Sequence, residues 1–84
     1  MYYFYILRCI DNSLYCGVTH DLERREKEHN SDSAKAAKYT RSRGPVRLIY
    51  HEGFDTLKEA MKREYEVKQW KKAKKERLVS GNVT

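Results

Sequence analysis

Residues 2–18 decide the fold and read YYFYILRCI, then DNS, then LYCGV. The run 2–10 is short and rich in aromatic and β-branched residues, which favours a strand. The side chains at 11–13 hydrogen-bond readily to nearby backbone groups, so this tripeptide predicts a turn. Residues 14–18 then form the returning strand of a hairpin, and we expect Ile10 to lie opposite Leu14.

The two faces of this hairpin carry different chemistry. Side chains alternate along a strand with a period of two, so Tyr5, Tyr15 and Gly17 share one face. Cys9 and Cys16 have opposite parity, so we expect no disulfide between them, as is usual in a reducing compartment. No further Cys or His has zinc-ligand spacing relative to them.

A helix is predicted to follow, from a cap at Thr19 or Asp21 to about His29. Its only large apolar residue is Leu22. Offsets of three and seven fall on one side of a helix, so Arg25 and His29 share the face of Leu22. If Leu22 packs on the sheet, a guanidinium and an imidazole lie there too.

The second half predicts one more strand and two more helices. The polar, basic residues 30–44 predict a loop that Gly44 and Pro45 end. Residues 46–54 alternate enough for a third strand, which could end as early as His51. A capping box at 56–59 opens a helix, and 73–79 predict a short last helix. The order β-β-α-β-α-α predicts an α+β domain with a small, antiparallel-containing sheet.

The helix after the capping box carries one acid near its apolar residues. The residues that follow helical offsets on one side are Leu57, Ala60, Met61, Glu64, Tyr65 and Lys68. Glu64 is therefore predicted near the core-facing stripe, where a carboxylate can bind a metal ion. The alternative is a surface carboxylate paired with Arg63 or Lys68.

Size and charge limit the class of protein. A chain of 84 residues predicts one domain, 1–84. The net charge is +6; residues 35–47 hold five bases and no acid, and residues 56–77 hold nine bases and four acids. Such clusters favour a polyanionic partner, most simply nucleic acid, over a merely solvated surface. The N-terminus predicts neither a signal peptide nor a membrane span, so we expect a cytoplasmic protein.

The polar residues are the parts that phosphodiester hydrolysis needs: an activated water and stabilised charge on the phosphoryl group. Arg25 can bind a phosphate through two donors, or else pair with Asp21 or Glu28. His29 can carry a proton near neutral pH, or else be a cation at a helix C-terminus. The hydroxyls of Tyr5 and Tyr15 can contact water, or else lie at the surface of the strands. A free phenol has a pKa of roughly 10, so nearby cations would have to favour the phenolate.

Taken in order, Tyr3-Phe4-Tyr5, Tyr15-Cys16-Gly17, Arg25, His29 and a helical Glu64 resemble the GIY-YIG nuclease superfamily. The resemblance extends over nearly the whole chain and is closest to small single-domain bacterial members. It implies a three-stranded antiparallel sheet flanked by helices. Tyr-Phe-Tyr stands in place of Gly-Ile-Tyr, and Cys16 stands in place of Ile. Val18 stands where the repair nucleases of the family carry lysine.

The resemblance also implies a role for each matching position. Tyr5 and Tyr15 match active-site tyrosines, one of them the general base, and Gly17 matches the glycine that keeps the strand surface open. Arg25 matches the arginine that binds the scissile phosphate. His29 matches a position held by His or Tyr, and Glu64 matches the glutamate that binds one divalent cation, Mg²⁺ or Mn²⁺.

The sequence therefore predicts a metal-dependent endonuclease acting on DNA, branched or structured DNA included, in repair or recombination. The residues expected to contact nucleic acid are Lys35, Lys38, Arg41, Arg43, Lys68, Lys71 and Lys72. Nuclease domains of this kind often take specificity from a further domain, so a protein partner could supply it. The alternatives are a nucleic-acid-binding module without catalysis and a protein-interaction domain that docks an acidic partner.

Overall fold

The computed structural model describes residues 1–31 and 44–81. Within these ranges the strands are β1, Tyr2–Arg8, β2, Leu14–Thr19, and β3, Arg47–Phe54; the helices are α1, Leu22–Asn30, α2, Leu57–Lys68, and α3, Lys72–Ser80. The predicted α+β class and element order are confirmed. β3 takes the longer of its two predicted extents. Most of the loop predicted at 30–44 lies outside the described residues. No helix in the described ranges is long and apolar enough to cross a bilayer.

The strands form one sheet in the order β2-β1-β3, with both pairs antiparallel. Arg8, not Ile10, lies opposite Leu14, so the predicted pairing was wrong and the loop is residues 9–13. The Cys9 N–H donates to the Ser13 carbonyl at 2.9 Å and closes this loop. Asn12 lies at φ 69, a left-handed conformation that asparagine tolerates. Because the register differs by two residues, every side chain keeps its predicted face.

Each face of the sheet has its own core. One face buries Tyr5, Leu7, Cys9 and Val46, and Leu22 of α1 packs against them. The other face buries Phe4, Ile6 and Cys16 against Val67 of α2 and Leu78 of α3. The two cysteines are free and lie in different cores, as their parity predicted. The sheet is therefore a two-sided layer, with α1 on one side and α2 and α3 on the other.

The side of α2 that faces the core differs from the predicted stripe. Ala60 and Val67 are buried, and Arg63 and Glu64 beside them are half-buried. The predicted residues Leu57, Met61 and Tyr65 are 45%, 53% and 72% exposed, and Lys68 is also exposed. The small Ala60 lets the helix approach the sheet, and Arg63 reaches across to Glu52 of β3 with its Nε at 2.9 Å. Glu64 keeps its predicted place near the core-facing side because it lies between the buried residues Ala60 and Val67.

Candidate active site

The β1–β2 register brings the Tyr5 ring onto Gly17. Tyr5 and Gly17 are cross-strand partners. A Cβ at Gly17 would lie 2.3 Å from the Tyr5 hydroxyl oxygen and 2.5 Å from its Cζ, closer than any real side chain can come. The absent side chain is therefore the space that the phenol occupies. Tyr5 itself is only 2% exposed.

His29 of α1 completes a buried polar pair with this phenol. Its Nε2 lies 3.0 Å from the Tyr5 hydroxyl oxygen. The His29 ring also contacts Tyr15 edge-to-face, with ring centroids 5.2 Å apart. His29 is 1% exposed, so the alternative of a solvated cation at the end of the helix is excluded. The predicted shared face of Leu22, Arg25 and His29 packs on the phenol side of the sheet.

Burial sets the protonation state of both partners. Desolvation raises the pKa of Tyr5 to about 12, against the opposing effect of the Arg25 guanidinium and with smaller contributions from the Tyr15 and Glu64 charges. Desolvation, then the Arg25 charge, lowers the pKa of His29 to about 4. At neutral pH the site therefore holds a protonated phenol beside a neutral imidazole.

Arg25 lies at the solvent side of this pair. It donates to the Glu28 carboxylate at 3.0 Å, one of the two ion pairs that the sequence left open, and its charge lowers the pKa of Tyr5. Its side chain is 26% exposed. The other predicted partner, Asp21, caps α1 by accepting from the Arg24 N–H at 3.1 Å. The guanidinium is thus oriented by Glu28 while part of it stays open to a ligand.

Glu64 lies on α2, which packs on the other side of the sheet from α1. Its negative charge makes the smallest of the contributions that raise the pKa of Tyr5. Lys68 lies 3.9 Å away, a loose ion pair that was the predicted alternative role, and the Glu64 side chain is 24% exposed. Within residues 1–31 and 44–81, no group of three or more His, Cys, Asp or Glu residues could hold a metal ion. A single partly open carboxylate still fits Mg²⁺ or Mn²⁺, because Mg²⁺ commonly keeps several waters.

Two residues that the sequence did not identify hold α1 in place. The Asn30 side chain accepts from the Val46 N–H at 2.6 Å and donates to the Val46 carbonyl at 3.0 Å. The Glu26 carboxylate accepts from the Leu48 N–H at 2.6 Å. Both lie at offsets of four and eight from Leu22, and this spacing on the sheet-facing side was the signal that could have found them. They tether the helix that carries Arg25 and His29 to β3 and to Val46, the residue before it.

Three of the basic residues expected to contact nucleic acid belong to the described part of the chain, and they lie where α2 and α3 meet. Lys68 is the last residue of α2, Lys71 caps α3 and Lys72 is its first residue. Lys72 lies 3.7 Å from Glu76. The other candidates, Lys35, Lys38, Arg41 and Arg43, lie outside the described residues. Because Lys68 pairs with Glu64, this group of lysines borders the candidate site.

The fold is a small α+β domain, and the comparison with known families gives its class: a nuclease-family catalytic domain. Residues 1–77 match the family model of the GIY-YIG catalytic domain, so the chain belongs to the GIY-YIG family and the predicted resemblance is confirmed. GIY-YIG nucleases generally use divalent metals, and the domain implies a DNA substrate.

Individual relatives match over most of their length. The chain is 55% identical over 75 residues to a UPF0213 protein of Bacillus pumilus, covering 89% of this chain and 74% of that protein. It is 49% identical over 79 residues to one of Staphylococcus saprophyticus, covering 94% of each. The solution NMR structure of a UPF0213 protein from Bacillus halodurans is similar, with 53% identity, a TM-score of 0.59, and coverage of 95% of this chain and 84% of that one.

Proposed function

We propose that this protein is a divalent-metal-dependent endonuclease that hydrolyses DNA phosphodiester bonds. The observation that carries the proposal is the convergence on one phenol. The Tyr5 hydroxyl oxygen lies 3.0 Å from Nε2 of His29, and the Arg25 charge lowers the pKa of both groups. Residues of β1 and α1 are thus gathered beside a partly open guanidinium. Action on branched or structured DNA, in repair or recombination, and a cytoplasmic location stay predictions.

Arg25 is the residue that binds the scissile phosphate. Its planar guanidinium can donate two parallel hydrogen bonds to phosphate oxygens and stabilise the charge that develops on them. The Glu28 carboxylate holds it in place before the substrate arrives. A phosphate would take over the donors that now face Glu28, so binding exchanges one anion for another at the same guanidinium.

Tyr15, not Tyr5, is the candidate for accepting the proton of the attacking water, and it does so as the phenolate, after its own hydroxyl proton has passed to solvent. Tyr5 is buried, and its pKa of about 12 keeps it protonated at neutral pH. The protonated phenol can donate its hydrogen to Nε2 of neutral His29. Tyr15 is half-buried and contacts the His29 ring edge-to-face. Tyr5 and His29 therefore act as positioning residues that fix Tyr15 and Arg25.

Glu64 is the residue that would hold the divalent cation. When bound, such a cation supplies stabilisation of charge on the phosphoryl group and the leaving oxygen. Lys68, Lys71 and Lys72, together with Lys35, Lys38, Arg41 and Arg43, would neutralise phosphates along the DNA backbone. DNA affinity should then fall steeply as salt rises.

The test is cleavage of a panel of duplex, nicked, flapped and branched DNA by the Glu64→Gln variant in Mg²⁺ or Mn²⁺. We expect cleavage to be abolished while DNA binding, measured by fluorescence anisotropy, stays near that of the wild type. Glu66→Gln is the matched control, because Glu66 lies on the same helix and pairs with Arg63 away from the site. Wild-type protein that binds this panel but cuts none of it would favour the non-catalytic binding module instead.

A further inference from the structure

α2 presents an apolar stripe to solvent that the fold does not use. Leu57, Met61 and Tyr65 are 45%, 53% and 72% exposed. They follow one another at offsets of four, so their side chains form a continuous row along the helix. Contiguous exposed apolar surface on a small protein commonly marks a site of interaction. The row lies next to Glu64, on the flank of α2 that leads away from the sheet.

The stripe is bordered by positive charge. Lys58 and Lys62 are exposed and lie three residues before Met61 and Tyr65, so each neighbours the row. Neither lysine has an ion-pair partner among the described residues. The acids of this helix are engaged elsewhere: Glu59 accepts from the Thr56 hydroxyl, Glu64 pairs with Lys68 and Glu66 pairs with Arg63. The row and its border therefore form one surface that is both apolar and cationic.

The charges decide what can cover this surface. A second copy of the chain would bring its own Lys58 and Lys62 against these two, and like charges across an interface are costly. Residues 32–43 hold four bases and one acid, so this segment carries the same sign as the surface. DNA would satisfy the lysines, but phosphate contacts use hydrogen-bonding groups, which Leu57 and Met61 lack.

We propose that the surface formed by Leu57, Met61, Tyr65, Lys58 and Lys62 binds an acidic amphipathic segment of another protein. Its apolar side chains would cover the row, and its carboxylates would pair with the two lysines. A partner seated there lies beside Glu64 and could deliver a substrate to the candidate site. The proposal concerns binding only, so it stands or falls independently of catalysis.

The test is a selection from a random peptide library against the whole 84-residue protein. We expect enriched peptides with apolar residues at helical spacing interleaved with Asp and Glu. The paired substitution Leu57→Ser and Met61→Ser should weaken the selected peptides at least tenfold, and Lys58→Glu with Lys62→Glu should do the same. Ile10→Ser is the matched control, since Ile10 is 68% exposed but lies in the β1–β2 loop; it should leave affinity unchanged.

Several outcomes would overturn the proposal. These are an absence of enriched peptides, enrichment of basic or uncharged ones, or equal binding to the Leu57→Ser and Met61→Ser variant. A dimer in sedimentation equilibrium that this variant dissociates would assign the surface to a second copy. A loss of DNA affinity in the same variant would assign it to nucleic acid. Unchanged thermal unfolding of each variant must accompany any of these results, and substitutions at such exposed positions should meet that condition.

Discussion

The Tyr5 hydroxyl occupies the space where Gly17 would otherwise carry a side chain, since a Cβ there would lie 2.3 Å from the hydroxyl oxygen. Gly17→Ala must therefore displace the phenol or separate the two strands. Overpacking of this kind typically costs about 1–3 kcal/mol, and we expect a loss of that size in the free energy of unfolding. Cleavage should fall with it, because Tyr5 could no longer meet His29 and Arg25. Urea unfolding and a cleavage assay provide the two measurements.

Gly53→Ala is the matched control for this prediction. Gly53 lies on β3, the other neighbour of β1, and is the cross-strand partner of Tyr3. A Cβ at Gly53 would meet mainly the Met1 sulfur, at 2.6 Å, and the end of that flexible chain can move aside. This variant should stay close to the wild type in stability and cleavage. An equal loss at both glycines would mean that any added methyl disturbs the sheet, and Tyr5 would have no special part in it.

The buried His29 makes stability depend on pH. Its pKa is lowered from 6.5 in the unfolded chain to about 4 in the fold, so the unfolded state binds the proton more readily. The contribution of the neutral His29 to the free energy of unfolding is therefore fully present above pH 6.5 and declines as the pH falls toward 4. One pH unit corresponds to about 1.4 kcal/mol, so the full decline is about 3 kcal/mol. Urea unfolding between pH 7.5 and 5 should record the upper part of it.

His29→Gln should flatten this part of the profile because the group that titrates is gone. The exposed His51 provides the control, and His51→Gln should keep the wild-type slope. If His29→Gln retained the slope and His51→Gln lost it, the pH dependence would belong to the surface and the buried imidazole would not be its source.

Arg25→Lys tests whether the shape of the guanidinium matters as well as its charge. Lysine keeps the charge but cannot hold Glu28 and a phosphate through a planar set of donors. Loss of one well-placed donor to a transition state costs about 100-fold in rate, and we expect a reduction of kcat of that order in single-turnover cleavage. Arg24→Lys, one residue away and 59% exposed, should cleave like the wild type. Comparable loss in both variants would contradict a specific role for Arg25.

The Arg8–Glu76 pair attaches α3 to the end of β1 through two hydrogen bonds, at 2.8 and 2.6 Å. Arg8 lowers the pKa of Glu76, so the contribution of the pair is present above the ordinary glutamate pKa and is lost as the pH falls below it. Partly exposed pairs contribute about 0.5–1 kcal/mol, and Glu76→Gln should lower the free energy of unfolding by that amount at neutral pH. A double-mutant cycle with Arg8→Met isolates the pairwise part.

The exposed pair Glu23–Lys27, at 3.4 Å with side chains about four-fifths exposed, is the comparison. Glu23→Gln should change stability by less than about 0.5 kcal/mol, because solvent screens such pairs. A coupling energy near zero for Arg8 and Glu76 would show that α3 is held by Leu78 and the apolar core alone.

The hairpin face was predictable although its register was not. Side chains alternate along a strand, so Tyr5, Tyr15 and Gly17 stay on one side of the hairpin whenever the true register differs from the predicted one by an even number of residues. The loop length depends on Asn12 adopting a left-handed conformation, and local sequence favours that conformation only weakly. The error of two residues therefore left the site intact.

The side of α2 that faces the core, by contrast, was not predictable from the sequence. Helical spacing predicts one stripe that includes Leu57, Met61 and Tyr65. In the fold, Ala60 and Val67 are buried instead, and Arg63 reaches Glu52 of β3. That choice depends on the shape of the sheet surface, which no local pattern contains.

The sequence by itself determined the element order, the face of each hairpin residue and the side of α1 that carries Arg25 and His29, because strand and helix periods are properties of the backbone. Only the tertiary structure decided that Tyr5 and His29 are buried and electrically neutral while Tyr15 and Arg25 stay open. It alone decided which side of α2 meets solvent. Burial and protonation depend on neighbours distant along the chain, and their positions follow from packing.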